Sequence, residues 1–78
     1  MIDLAALVRW VNAELVLHFV DGHVVRGKLI AVDASSQPEI LYDVLEVIRV
    51  GPDKCANVKP GVTASADPRE LSGFFPVT

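Results

Sequence analysis

Cysteine is nearly absent from this 78-residue chain, in which Cys55 is the only one. A single cysteine cannot form an intramolecular disulfide, so the fold must be held together without one. Such a composition is typical of the reducing cytoplasm, and a cytoplasmic protein is expected.

Positive charge is also in deficit, because seven Lys and Arg residues stand against ten Asp and Glu residues. The net charge of −3 argues against a broad phosphate-binding surface, although a local basic site remains compatible with it. The apolar runs are too short to span a membrane, and the N-terminus has no basic segment or cleavage site. We therefore expect no membrane contact and no signal peptide.

Patterns that carry catalysis or bind metals are missing as well. Ser35 and Ser36 have no histidine at an obvious spacing, and no glycine-rich phosphate loop occurs. His18 and His23 lack a nearby cysteine and lack ligand spacing. The sequence predicts a non-enzymatic protein with no cofactor, no metal and no small-molecule substrate.

Apolar residues, in contrast, are abundant, at 51% of a chain with only 22% charged residues. A domain of this size buries only about 60% of its unfolded surface, so much of this apolar surface stays exposed in a monomer. Homo-oligomerisation is the simplest way to cover it.

The stretch 15–32 is predicted to be a β-hairpin around which the rest of the chain folds. Apolar residues alternate through its first strand, and Asp21-Gly22 is a strong turn signal. A three-residue loop of Asp21, Gly22 and His23, with Gly22 in a left-handed bulge position, pairs Val20 with Val24. This register places one apolar set on the core face: Leu15, Leu17, Phe19, Val25, Gly27, Leu29 and Ala31.

The opposite face of the hairpin is also largely aliphatic. This register puts His18 opposite Arg26. Gly27 stands in mid-strand, where a glycine indicates a sharp bend, and a small barrel needs such a bend. Five of the eight residues on this face are aliphatic, which indicates that something covers part of it: Val16, His18, Val20, Val24, Arg26, Lys28, Ile30 and Val32.

Residues 3–12 are predicted to form a helix with Asp3 as its N-cap and one apolar stripe. Residues 39–50 are predicted to form a third strand, whose alternation is interrupted at Glu46. Either a bulge near 43–46 restores the pattern, or the two halves belong to two strands.

The C-terminal part, 51–78, is predicted to be largely irregular. Within it, 62–66 reads as a short strand and 67–71 as a single helical turn capped by Asp67. Residues 74–77 read as a last strand, which must lie at a sheet edge because Pro76 cannot donate a ladder hydrogen bond.

The order of helix, hairpin and bent third strand is mainly β, and 15–43 resembles the first half of the Sm/LSm motif. That motif consists of alternating aliphatics, Asp-Gly, a basic residue, then an aliphatic, Gly, Leu and Asp. Here its residues are Leu15, Leu17, Phe19, Asp21, Gly22, Val25, Gly27, Leu29 and Asp33. The resemblance implies a single domain over 1–78: an N-terminal helix followed by a small, strongly bent five-stranded antiparallel barrel, with SH3-like barrels as neighbours.

The resemblance also implies a site for RNA in the loop after Asp33, where Gln37 stands in the place of the Asn that binds a base edge. Arg26, Lys28 and Arg49 form a candidate basic strip for phosphate contact. The other interpretation is a solvated face whose cations pair with Asp33, Asp43 or Glu46, which the acidic balance favours.

Three hypotheses follow for function. The first is a non-enzymatic Sm-like assembly module that forms a homo-oligomer. The second is an RNA-binding ring of Sm type, and the third is a monomeric SH3-like adaptor with an aromatic peptide groove. Five aromatic residues, of which only Phe74 and Phe75 are adjacent, give the groove little material.

Overall fold

A computed structural model describes residues 3–50 and 59–77. One short helix precedes five strands: α1 (Leu4–Val8), β1 (Glu14–Phe19), β2 (Val24–Asp33), β3 (Glu39–Arg49), β4 (Thr63–Ala66) and, after a 3-10 helix at Pro68–Glu70, β5 (Leu71–Pro76). The strands form one antiparallel sheet in the order β4-β3-β2-β1-β5. The mainly β class is confirmed. The predicted barrel is not seen, because β4 and β5 do not pair within the described residues and the sheet stays open.

Helix α1 begins as predicted but ends four residues early. The Asp3 carboxylate accepts the N–H of Ala5 at 3.0 Å, which satisfies a donor of the first turn. After Val8 the backbone bonds reach back only three residues, as from Trp10 to Leu7 at 2.9 Å. Asn12 then takes a left-handed φ of 72° and donates to the Leu29 carbonyl at 2.7 Å. This bond to β2 competes with helix continuation, so the prediction of a helix over 3–12 was wrong in length.

The β1–β2 hairpin has a three-residue loop, as predicted, but the loop lies one residue earlier. The Phe19 carbonyl accepts the N–H of Gly22, and the Phe19 N–H donates to the His23 carbonyl, both at 3.0 Å. Gly22 has φ 100° in the expected left-handed bulge position. Leu17 therefore pairs with Val25, and His18 with Val24 rather than with Arg26.

Three register shifts bend the β2–β3 pair. One shift falls between the pairs Arg26–Glu46 and Gly27–Val44, so Leu45 forms a bulge inside a single strand β3, within the predicted segment 43–46. Another shift, at Ile30, reverses the faces of β2 beyond Leu29. Val32 thereby packs on the core, and the prediction that Ala31 lies on the core face was wrong.

Gly27 lies where β2 and β3 approach most closely. A Cβ built on it would lie 2.7 Å from the backbone carbonyl oxygen of Asp43 and 3.3 Å from Tyr42 Cδ2. Glycine is therefore required for packing at this position, next to the Leu45 bulge.

The core lies between α1 and the inner face of the sheet. It consists of Leu7 of α1 and of residues from β1, β2, β3 and β5, those of β1 and β2 belonging to the predicted core face of the hairpin: Leu7, Leu15, Leu17, Phe19, Val25, Leu29, Ile40, Tyr42, Val44 and Leu71. The strand predicted over 62–66 is β4, and the turn predicted over 67–71 is the 3-10 helix with Asp67 as its N-cap. The last strand, predicted over 74–77, is β5 and begins earlier, at Leu71, while residues 51–58 of the segment predicted to be irregular lie outside the described residues. Strand β5 carries Pro76 and lies at the edge of the sheet, which confirms that prediction.

Candidate functional site

Arg26 is the centre of an ion-pair cluster that crosses three strands on the outer face. Its Nη1 contacts Glu14 Oε1 on β1, and its Nε donates to Glu46 Oε1 on β3 at 3.1 Å. These two hydrogen bonds, that with Glu14 foremost, raise the pKa of the Arg26 guanidinium. The guanidinium is therefore already engaged by two carboxylates, with which a nucleic-acid phosphate would have to compete.

Lys28 also lies among acidic residues. It pairs in register with Glu14 on one side and with Asp43 on the other. The Asp43 carboxylate in turn accepts the Thr63 hydroxyl at 2.6 Å, which links β3 to β4. The outer face is thus a pattern of alternating charges, as the solvated-face interpretation expected, and not a basic strip.

Asp33 and Gln37 lie at one end of the β2–β3 pair in an exposed loop. Asp33 Oδ1 accepts the Ser35 N–H at 2.9 Å, and Ser35 Oγ accepts the Gln37 N–H at 3.3 Å. The Asp33 side chain thus orders the backbone of the loop. Glu39 pairs directly with Asp33, so this end of the sheet is acidic.

Arg49 lies at the other end of the same pair of strands, opposite Val24. Strand β2 runs over ten residues from Val24 to Asp33, so its length separates Arg49 from Asp33 and Gln37. The structure brings Arg26 and Lys28 together but does not gather the five candidate RNA-binding residues into one site.

The hairpin tip holds an Asp–His pair that sequence analysis did not single out as a site. The His23 ring is buried and stacks on Phe19, with ring centroids 3.9 Å apart and an interplanar angle of 11°. Asp21 Oδ1 accepts the His23 N–H at 2.9 Å and lies 2.5 Å from His23 Nδ1. The backbone bond, more than the ring contact, lowers the pKa of Asp21.

A small cavity of about 160 Å³ opens beside this pair, lined by Phe19, Val20, Asp21, His23 and Glu70. The order Asp-Gly-His predicts the turn, but the stacking depends on Phe19 pairing with His23, which the predicted register did not give. In the described part of the chain, no three His, Cys, Asp or Glu side chains cluster as metal ligands would.

The two sheet edges are the other prominent feature. Within residues 3–50 and 59–77, β4 pairs only with β3 and β5 pairs only with β1. Several large apolar side chains are exposed as well, including Val20 (67%), Ile48 (51%) and Val50 (66%) towards the hairpin tip and Phe75 (56%) on β5. His18 meets the Phe75 ring edge-to-face at 5.1 Å on the outer face.

Comparisons with known proteins identify no relative, because no family model, curated protein or solved structure matches the chain. Among the described residues, no helix is both long and apolar enough to cross a membrane.

Proposed function

We propose that this chain is a non-enzymatic assembly module of Sm-like type that works as a homo-oligomer. The open sheet is the observation that carries the proposal. An edge strand presents a row of unpaired N–H and C=O groups, which form a template for a strand from another chain. This sheet has two such edges, β4 and β5, within the described residues.

Exposed apolar side chains support the same function. Val20, Ile48 and Val50 lie towards one end of the sheet, and each is more than half exposed. Large apolar side chains exposed near a sheet end are candidate protein contacts, and covering them on association would remove apolar surface from water. The alternative of an RNA-binding ring has less support, since Glu14 and Glu46 engage Arg26 and the loop carrying Gln37 lies between the acidic residues Asp33 and Glu39.

The test is the molar mass of the purified chain, measured by light scattering during size exclusion across a concentration series. Absorbance at 260 and 280 nm is read on the same peak. A mass that is a multiple of 8.4 kDa, with the absorbance ratio of pure protein, is the expected result. A monomer at every concentration contradicts the proposal and leaves the SH3-like adaptor. An oligomer that elutes with nucleic acid favours the RNA-binding ring.

A further inference from the structure

The outer edge of β4 presents a regular set of backbone groups. The Val44 N–H donates to the Val62 carbonyl oxygen at 2.8 Å, so the backbone groups of Val44 point towards β4. This direction alternates along a strand, so every second residue of β3 before Val44 points its backbone groups towards β4 as well. In the register that follows, Tyr42 faces Ala64, so the hydrogen-bonded pairs use the even-numbered residues of β4. The N–H and C=O groups of Thr63 and Ser65 consequently point away from the sheet.

The outer edge of β5 is a poorer template. Val77 donates to the Glu14 carbonyl at 2.9 Å, so by alternation Phe74 and Pro76 face outward. Pro76 has no N–H, and a register shift near Ser72 interrupts the strand. Proline and bulges are the devices that protect an edge from pairing, and β4 carries neither, nor any charged side chain, over 63–66.

We propose that a second copy of this chain pairs with β4 along this edge, antiparallel and about a two-fold axis at Ala64. The inference rests on the proposed homo-oligomeric function and identifies its interface. Thr63 of each copy pairs with Ser65 of the other, and each pair exchanges both N–H···O bonds. Four hydrogen bonds then join the two sheets into one sheet of ten strands.

Charge and side-chain size favour this orientation. Lys59 precedes β4, whereas the three charges that follow it, Asp67, Arg69 and Glu70, sum to −1. Antiparallel pairing places the positive flank of one copy beside the negative flank of the other at both ends, which a parallel arrangement does not. Ala64, which packs against the core on the inner face, meets its own counterpart there, and a methyl group is small enough for so close a pair of strands.

Disulfide trapping tests the register directly, in a Cys55→Ser background. Directly opposed residues of a non-hydrogen-bonded pair have Cα atoms about 4.5 Å apart, within the range that a disulfide spans. Ala64→Cys should therefore form a covalent dimer under mild oxidation. Ser65→Cys is the matched control, because its two copies are offset by about 7 Å along the strands. We expect dimer formation at least ten-fold faster for Ala64→Cys, and equal rates or the reverse order would overturn the two-fold pairing.

A proline substitution tests the edge itself. Ser65→Pro removes an outward N–H and no bond to β3, so the fold is kept while pairing is lost. We expect the mass to fall to that of the monomer at concentrations where Ser65→Ala remains dimeric. If the wild type is a monomer, both proposals fail. If it is an oligomer that Ser65→Pro leaves intact, only the β4 interface fails. If Ser65→Pro loses the circular dichroism signal of the folded chain, the rates of disulfide formation in Ala64→Cys and Ser65→Cys decide instead.

Discussion

Replacing Gly27 with alanine should destabilise the protein, although alanine is ordinarily the better strand residue. The added Cβ would lie 2.7 Å from the Asp43 carbonyl oxygen. An ordinary C···O contact is about 3.3 Å, so β2 and β3 must move apart by about 0.6 Å. Backbone atoms form this contact, and the neighbouring register shift leaves the strands little freedom to slide.

Two opposing terms set the magnitude. Overpacking of a well-packed region costs about 1–3 kcal/mol. The lower backbone entropy of alanine in the unfolded state offsets about 0.5–1 kcal/mol of that cost. The midpoints of these two terms give an expected net loss in the free energy of unfolding of about 1 kcal/mol, which for a chain of this size lowers the melting temperature by about 4–8 °C.

Gly73→Ala provides the matched control. A Cβ there would meet only the Phe75 ring, at 3.6 Å, which is an ordinary contact. This variant should be unchanged or slightly stabilised. Unfolding is followed by circular dichroism and by the fluorescence of the single tryptophan, at fixed protein concentration because association shifts the midpoint. If Gly27→Ala matches the wild type or Gly73→Ala in stability, the close approach of β2 and β3 does not limit this position.

Three further predictions follow from local geometry. Asn12→Ala should lower the free energy of unfolding by about 1 kcal/mol while Asn12→Gly leaves it unchanged, because Asn12 has a left-handed φ that only glycine adopts freely. Equal urea midpoints for the two variants would count against this. The pKa of Asp21 is lowered below its ordinary 3.8, so its stabilising contribution is complete above that pH and is lost as the pH falls through the folded-state pKa. Asp21→Asn should therefore flatten the acid limb of the melting-temperature profile, and an unchanged limb would refute the role of this carboxylate. Arg26→Gln should lower the melting temperature at low salt and less so at high salt, since Glu14 and Glu46 lose a partly exposed cationic partner whose attraction salt screens. A loss of stability that does not depend on salt would indicate lost packing instead.

The alternation of apolar residues was sufficient to predict the core face of the hairpin but not its register. A shift of two positions keeps every side chain on its face, so Leu17 remains a core residue whether it pairs with Val25 or with Gly27. The positions of outer-face partners, however, depend on the register itself. For this reason the sequence placed Arg26 beside His18, and its contact with Glu14 was not predicted. Glu46, in contrast, is one of the carboxylates that the solvated-face interpretation named as partners of the basic residues.

Local signals also failed where a distant bond decided the structure. The pattern of residues 3–12 is helical, yet the bond from Asn12 to the Leu29 carbonyl ends the helix. A bulge near 43–46 was one of two alternatives that the sequence left open, because Glu46 interrupts the alternation, and the bulge at Leu45 within a single strand decides between them. The bulge at Ile30 was not predicted, because Ile30, Ala31 and Val32 are all apolar and either face accepts them.

The position of β1 between β2 and β5 has a consequence for folding kinetics. Leu15 pairs with Gly27 on one side and with Pro76, 61 residues further along the chain, on the other. The hairpin forms early because its loop is short, whereas closing the second pairing requires ordering nearly the whole chain. We therefore expect a rate-limiting step in which β5 docks onto β1. During synthesis, β1 exposes an unpaired edge until residues 71–76 have been made, and the nascent chain is most prone to aggregation in that interval.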